Sequence, residues 1–199
     1  YDAMIRLVSE AESEIGTRTT PPIVSTELRT LDLARLRSAV SHSAGFAMLA
    51  RINQSNASQD LTARSNVGDI ATRGPLTPDH VIRTKRLPLI IEADFKESLA
   101  RYAQDYDDYY SKYSSNHHTR LDSAPRWAVW PGQGTVAFGR SIKDLQVVAD
   151  IVEHTCSAIV NGEHLGGWHA LPAEDIFAVE YWELEQAKLN KSGISLPFQ

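Results

Sequence analysis

Trp127-Ala128-Val129-Trp130-Pro131-Gly132-Gln133-Gly134-Thr135-Val136-Ala137-Phe138-Gly139-Arg140-Ser141 decides the fold class of this chain. Apolar and β-branched residues fill 127–130 and 135–138, and Pro131-Gly132-Gln133-Gly134 between them supplies the residues a tight turn needs. Two strands joined as a hairpin are therefore expected. Ser141 follows, with Asp144 three residues on in a capping pattern. Behind it Ile142, Leu145, Val148, Val152, Cys156 and Ile159 recur at helical spacing.

Upstream, Glu97 to Tyr113 reads as a long polar helix with Leu99, Tyr102, Tyr106, Tyr109 and Tyr113 spaced by three or four. Helical spacing among acidic neighbours makes this row a packing stripe rather than a platform for stacking bases. Pro88–Ile91 predicts a strand, and Thr77-Pro78 opens a short helix. The Ser/Asn/Thr-rich stretch 53–74 predicts loop with one short helix near Leu61. Residues 46–50 predict a buried strand, and 26–42 a helix with Leu28, Leu31, Leu33, Leu36 and Val40 on one face. Downstream, Pro172-Ala173-Glu174-Asp175 starts a last helix through Leu189, acidic at its positive end. Glu180, Glu183 and Glu185 read as its solvated surface. Gly193 and Pro197 close the chain.

Strands alternating with helices predict an α/β layered sandwich, a small mixed sheet flanked by helices. Tyr1–Ile15 is amphipathic, with Met4, Ile5, Val8, Ala11 and Ile15 on one face, and is expected to protrude as an N-terminal helix. Gly16 should stop it. The expected organisation is 1–16, a terminal helix whose partner lies upstream; 17–25, a linker; 26–190, the α/β domain; and 191–199, a closing linker. Residues 1–10 also align loosely with 145–154, as two amphipathic helices of one kind would.

A net charge of −5 gives no electrostatic footprint for nucleic acid. No apolar run approaches the ~20 residues that span a bilayer, so no membrane partner is expected. The single cysteine, Cys156, allows neither an internal disulfide nor a thiolate metal cage. A cytoplasmic enzyme is the expectation.

For chemistry, His80, Arg83 and Lys85 stand out. Positions 80 and 83 share a helix face and Lys85 follows, and two cations with a histidine suit a phosphate or carboxylate. The competing reading is a surface helix with solvated charges. His117-His118 reads as a surface pair, since neighbouring histidines on a strand face opposite ways. Cys156, on an apolar stripe, reads as an inert core thiol.

Three segments occur together and in order: Thr77-Pro78-Asp79-His80-Val81-Ile82-Arg83-Thr84-Lys85, Leu165-Gly166-Gly167, and Ala178-Val179-Glu180-Tyr181-Trp182 with Leu184-Glu185. With the Pro131-Gly132-Gln133-Gly134 hairpin they resemble the middle region of bifunctional rhamnulose-1-phosphate aldolase/short-chain dehydrogenase proteins. The hairpin and the helix after it also resemble the closing hairpin and helix of class II aldolases. In those aldolases a histidine in the turn is a zinc ligand, and here the position is Gln133, a poor substitute. The resemblance implies zinc and NAD for the parent protein. It implies no cofactor for this region, which lacks both the zinc-binding His-x-His and a G-x-G-x-x-G loop followed by a helix. The implied partners are the adjacent aldolase and dehydrogenase modules, with a sugar phosphate as possible ligand and a homo-oligomer as the expected assembly.

Three functions stay open at this point. The first is an accessory or coupling domain of a bifunctional sugar-phosphate enzyme, inactive by itself. The second is a degenerate aldolase-like domain whose pocket is formed by His80, Arg83, Lys85 and Gln133. The third is an oligomerisation module in which Trp127, Trp130, Trp168 and Trp182 bury an interface.

Overall fold

In a computed structural model the described residues are 1–15 and 30–190. Gly16, the 17–25 linker, the start of the second helix with Leu28, and the stretch 191–199 lie outside them.

The hairpin forms as its sequence requires. Strand β3 (Trp127–Trp130) and β4 (Gly134–Gly139) pair antiparallel, Trp127 opposite Ala137 and Trp130 opposite Gly134. Strand β1 (Leu49–Asn53) pairs antiparallel with the other edge of β4, and β2 (Leu89–Ile90) runs parallel to β3. The order is β1-β4-β3-β2, a mixed four-stranded sheet. At Gly134 a side chain has no room, because a Cβ there would stand 2.2 Å from the carbonyl oxygen of Asn53. Glycine is what lets β1 close on the hairpin.

Helices cover both faces of the sheet, so every residue of β3 and β4 is buried. Alternation then sorts the strand residues. Ala128, Trp130, Val136 and Phe138 pack with Leu36 and Val40 of α2 (Thr30–Ala44) and Leu99 and Tyr102 of α6 (Phe95–Tyr113). On the other face Trp127, Val129 and Ala137 pack with Val148, Val152, Cys156 and Ile159 of α7 (Ile142–His164). Ser141 caps α7 by accepting from Asp144 N at 3.1 Å. A Cβ on Gly139 would meet Leu145 N at 2.4 Å, so this glycine allows the helix to start hard against the strand. The expected layered α/β sandwich is what forms. Helix α1 (Asp2–Ile15) buries none of its residues, leaving Met4, Ile5, Leu7, Val8 and Ile15 exposed.

Several boundaries differ from expectation for physical reasons. The strand expected at 46–50 lies at 49–53. Met48 N is taken by the Ser41 hydroxyl at 3.0 Å, and Phe46 lies under the Arg140 guanidinium at 3.6 Å. The 53–74 stretch holds two short helices, α3 (Asn56–Thr62), capped by Ser55, and α4 (Val67–Ala71). Ile142, expected on the apolar face of α7, is exposed at the helix start. The last helix breaks into α8 (Ala173–Glu180) and α9 (Glu183–Asn190). Trp127 and Trp130 are core residues, and Trp168 gives its indole N–H to Ile70 O at 3.2 Å. Only Trp182 of the four is largely exposed, so they form no common interface.

Candidate functional site

Pro78–His80 forms a 3-10 turn, and α5 (Val81–Thr84) continues from it. At Lys85 the chain leaves the helix with φ 63°, a left-handed conformation that disfavours any residue with a Cβ. That turn sends the Lys85 side chain inward, where the residue is 3% exposed. Its Nζ donates to Asp122 O at 2.6 Å and stands 3.7 Å from the centre of the Tyr106 ring, a cation–π arrangement.

Three other elements complete the cluster. From α6, the Tyr106 hydroxyl donates to Glu180 Oε1 at 3.1 Å and shares a 2.7 Å hydrogen bond with Tyr181. Glu180, at the end of α8, is fully buried. From the segment before β3, Asp122 receives Arg126 in a two-point pair at 2.8 and 2.6 Å. Arg126 also donates to Ala124 O at 2.9 Å. Lys85, Glu180, Asp122 and Arg126 line a cavity of about 210 Å³ together with Arg83, Arg140 and the apolar Met48 and Phe138.

Burial dominates the electrostatics. It pushes the Lys85 ammonium down, the Arg126 charge pushes further, and Glu180 and Asp122 only partly oppose them, leaving the group at about 7. Burial likewise raises the Glu180 carboxyl against the pull of Lys85 and the Tyr106 hydrogen bond. The proton affinities of amine and carboxyl are thus drawn toward one another. At Asp122 burial also pushes upward, but the hydrogen bonds and charge of Arg126 outweigh it and hold the carboxyl below its usual range.

The structure brings together two of the four residues singled out from sequence. Arg83 and Lys85 line the cavity. His80 ends the 3-10 turn half-buried outside it. Its imidazole is pushed down by burial, and its Nδ1 lacks a partner. Gln133 sits in the hairpin turn, at the opposite end of β4 from Gly139 in the cavity wall. Five residues of strand rise separate the two ends, ~17 Å, so a single pocket of all four does not form.

Glu180, expected on the solvated surface of the last helix, is buried instead. The signal was present: it follows Ile176 by four and Phe177 by three, and both are buried. Glu185 is also buried, while Glu183 is exposed. The tyrosine row packs as expected, with Tyr109 edge-on to Phe177 at 5.3 Å. His118 lies against Phe177 and Tyr181 and accepts from Ser115 N at 3.1 Å. Cys156 is buried, and burial with the nearby Glu153 charge pushes its thiol up to about 12.

Around Gln133 the turn presents backbone and Gln54, whose Nε2 donates to Gln133 O at 3.0 Å. Among the described residues no group of three or more His, Cys, Asp or Glu side chains is placed to hold a metal. Gly132-Gln133-Gly134 joins antiparallel strands rather than a strand and a helix, which is not a dinucleotide loop. Among the described residues no helix is long and apolar enough to cross a membrane.

The family described as "Aldolase class II, second domain" matches residues 27–189. The chain is also similar to a protein of Bacillus subtilis (strain 168) described as "Uncharacterized oxidoreductase YuxG", 29% identical over 129 residues. That alignment covers 59% of this chain and 19% of the relative, so the chain spans about a fifth of the relative's length. No solved structure gives a significant match.

Proposed function

The chain belongs to the family of class II aldolase second domains, and from that premise we propose that it is the accessory domain of a longer sugar-phosphate enzyme. In this reading the parent pairs an aldolase module with a short-chain dehydrogenase module. A ketose 1-phosphate such as rhamnulose 1-phosphate is cleaved to dihydroxyacetone phosphate and lactaldehyde, and the aldehyde is then oxidised or reduced with NAD. Zinc and NAD belong to the flanking modules. This domain has neither site of its own and contributes a pocket for the anionic end of a small carbonyl compound.

The cavity at Lys85 carries the reading. It places Arg83 and Arg140 at its wall beside Lys85, while Asp122 is engaged by Arg126. Arg83 makes no ion pair among the described residues. A guanidinium offers a fork of donors that fits phosphate or carboxylate. The relative's description as an oxidoreductase and its greater length are in keeping with a multidomain parent.

Titration calorimetry of the 199-residue chain with inorganic phosphate and with dihydroxyacetone phosphate tests this. Binding by the wild type should weaken about 10-fold or more in Arg83→Gln, the loss of one charge-assisted contact. The chain alone should not cleave rhamnulose 1-phosphate. Cleavage by the chain alone, or binding indifferent to Arg83, overturns the proposal.

A further inference from the structure

Lys85 has more built around it than an anion pocket requires. Its backbone is held left-handed at φ 63°, a strain that persists only where surrounding structure fixes it. The amine is nearly sealed, yet it borders the 210 Å³ cavity. It is set between the Asp122 carbonyl and the Tyr106 ring. On the same wall the Glu180 carboxyl is buried, accepting from the Tyr106 hydroxyl and facing the Tyr109 hydroxyl as a second donor.

We infer that Lys85 is a carbonyl-capturing amine, forming an imine with a small aldehyde or ketone that carries a phosphate or carboxylate. The inference rests on the reading of this cavity as a site for anionic carbonyl compounds. A desolvated lysine beside a second cation is a known way to make an amine nucleophilic, and Arg126 is that cation. A neutral amine that gives one hydrogen to Asp122 O keeps a second hydrogen and its lone pair.

The step balances within the cluster. The Nζ lone pair attacks the carbonyl carbon as the C=O π pair moves to oxygen, which takes a proton from neutral Glu180 to give a carbinolamine. Nζ then passes a proton back to Glu180. The carbinolamine hydroxyl leaves as water on receiving that proton, and the C=N bond forms with the nitrogen's remaining pair. The nitrogen's last proton returns to the Glu180 carboxylate, so one amine and one carbonyl yield one imine and one water, with no oxidant, metal or cofactor. Arg83 and Arg140 hold the substrate's anionic end. The charged and titratable groups facing Lys85 are Arg126, Arg120 and Asp122 from the segment before β3, Glu180 from α8 and Tyr106 from α6. Asp144 of α7 lies in the cavity wall.

The experiment treats the chain with glyceraldehyde 3-phosphate or with glyceraldehyde in the presence of cyanoborohydride, then locates reduced adducts by peptide mass. Lys85 should be modified about 10-fold faster at pH 7 than the exposed Lys96, Lys112 and Lys143, with half-maximal rate near pH 7. Arg83→Gln should slow the phosphorylated probe about 10-fold more than the unphosphorylated one. Glu180→Gln should slow both about 10-fold or more, as loss of a proton donor does. If Lys85 stays unmodified at pH 7–8 while phosphate still binds by calorimetry, the imine inference is overturned and the anion site stands. If Lys85 is modified with no preference for the phosphorylated probe, the amine chemistry stands and the anion reading falls. Modification only of exposed lysines, with a rate still climbing toward pH 10, overturns the inference.

Discussion

The ammonium nitrogen of Lys85 lies 3.7 Å from the centre of the Tyr106 ring, and the hydroxyl of that ring donates to Glu180 at 3.1 Å. One tyrosine thus meets the buried cation with its face and the buried carboxyl with its edge. Neither charge is left against bare hydrocarbon, and the two are drawn toward each other in proton affinity.

The pH dependence of stability follows. Lys85 titrates near 10.5 when unfolded and at about 7 when folded, so between those values the unfolded chain binds the extra proton and stability rises with pH. Wild type should gain on Lys85→Met by up to ~1.4 kcal/mol per pH unit above pH 7. Glu180 has the opposite sign: its folded value is raised, so its contribution is full below the unfolded value and fades as pH rises through the folded one. Without Lys85 that fading extends further, which widens the same difference. Urea titrations from pH 6 to 10 measure it.

Asp122 carries an acid-side prediction. Its carboxyl is held low by Arg126, so its stabilisation is present above the unfolded value and is lost as pH falls through the folded one. Asp122→Asn leaves a largely buried guanidinium without its counter-charge and should destabilise by roughly 3–5 kcal/mol at pH 7. The deficit should shrink in acid. Chemical denaturation at pH 7 and pH 3 compares the two.

The hairpin glycines should separate. A Cβ on Gly132 meets nothing within 4 Å, so Gly132→Ala meets only the positive-φ penalty, about 1–2 kcal/mol. Gly134→Ala drives a methyl into the Asn53 carbonyl and should exceed ~3 kcal/mol, with loss of β1 pairing. Amide hydrogen exchange across 49–53 reports the pairing directly.

Cys156 should behave as a core atom. With its thiol at about 12 and buried, it should resist an aromatic disulfide reagent at pH 8 in the folded protein and react at the rate of unfolding. Fast native-state reaction would contradict the packing of α7 on the sheet.

Much of the frame was readable before folding. Ser141 with Asp144, the Pro-Gly turn and the row Tyr102, Tyr106 and Tyr109 each express a rule that acts between near neighbours, and each appears as expected. The misplaced strand at 46–50 shows the limit. Its apolar run is real, but Ser41 and Arg140 claim Met48 N and Phe46. No local pattern records such competition.

The site divides the same way. Arg83 and Lys85 were visible because they fall within one short helix and its end. Whether Glu180 faced water or Lys85 could be decided only by α8 packing on α6, since Tyr106 and Glu180 stand 74 positions apart. Periodicity and turn chemistry are short-range, so the sequence by itself determined the elements and the layered α/β class. Burial is a property of the assembled layers. Only the tertiary structure therefore decided which charges lost their water, which gathered around one cavity, and that Gln133 stands apart from them.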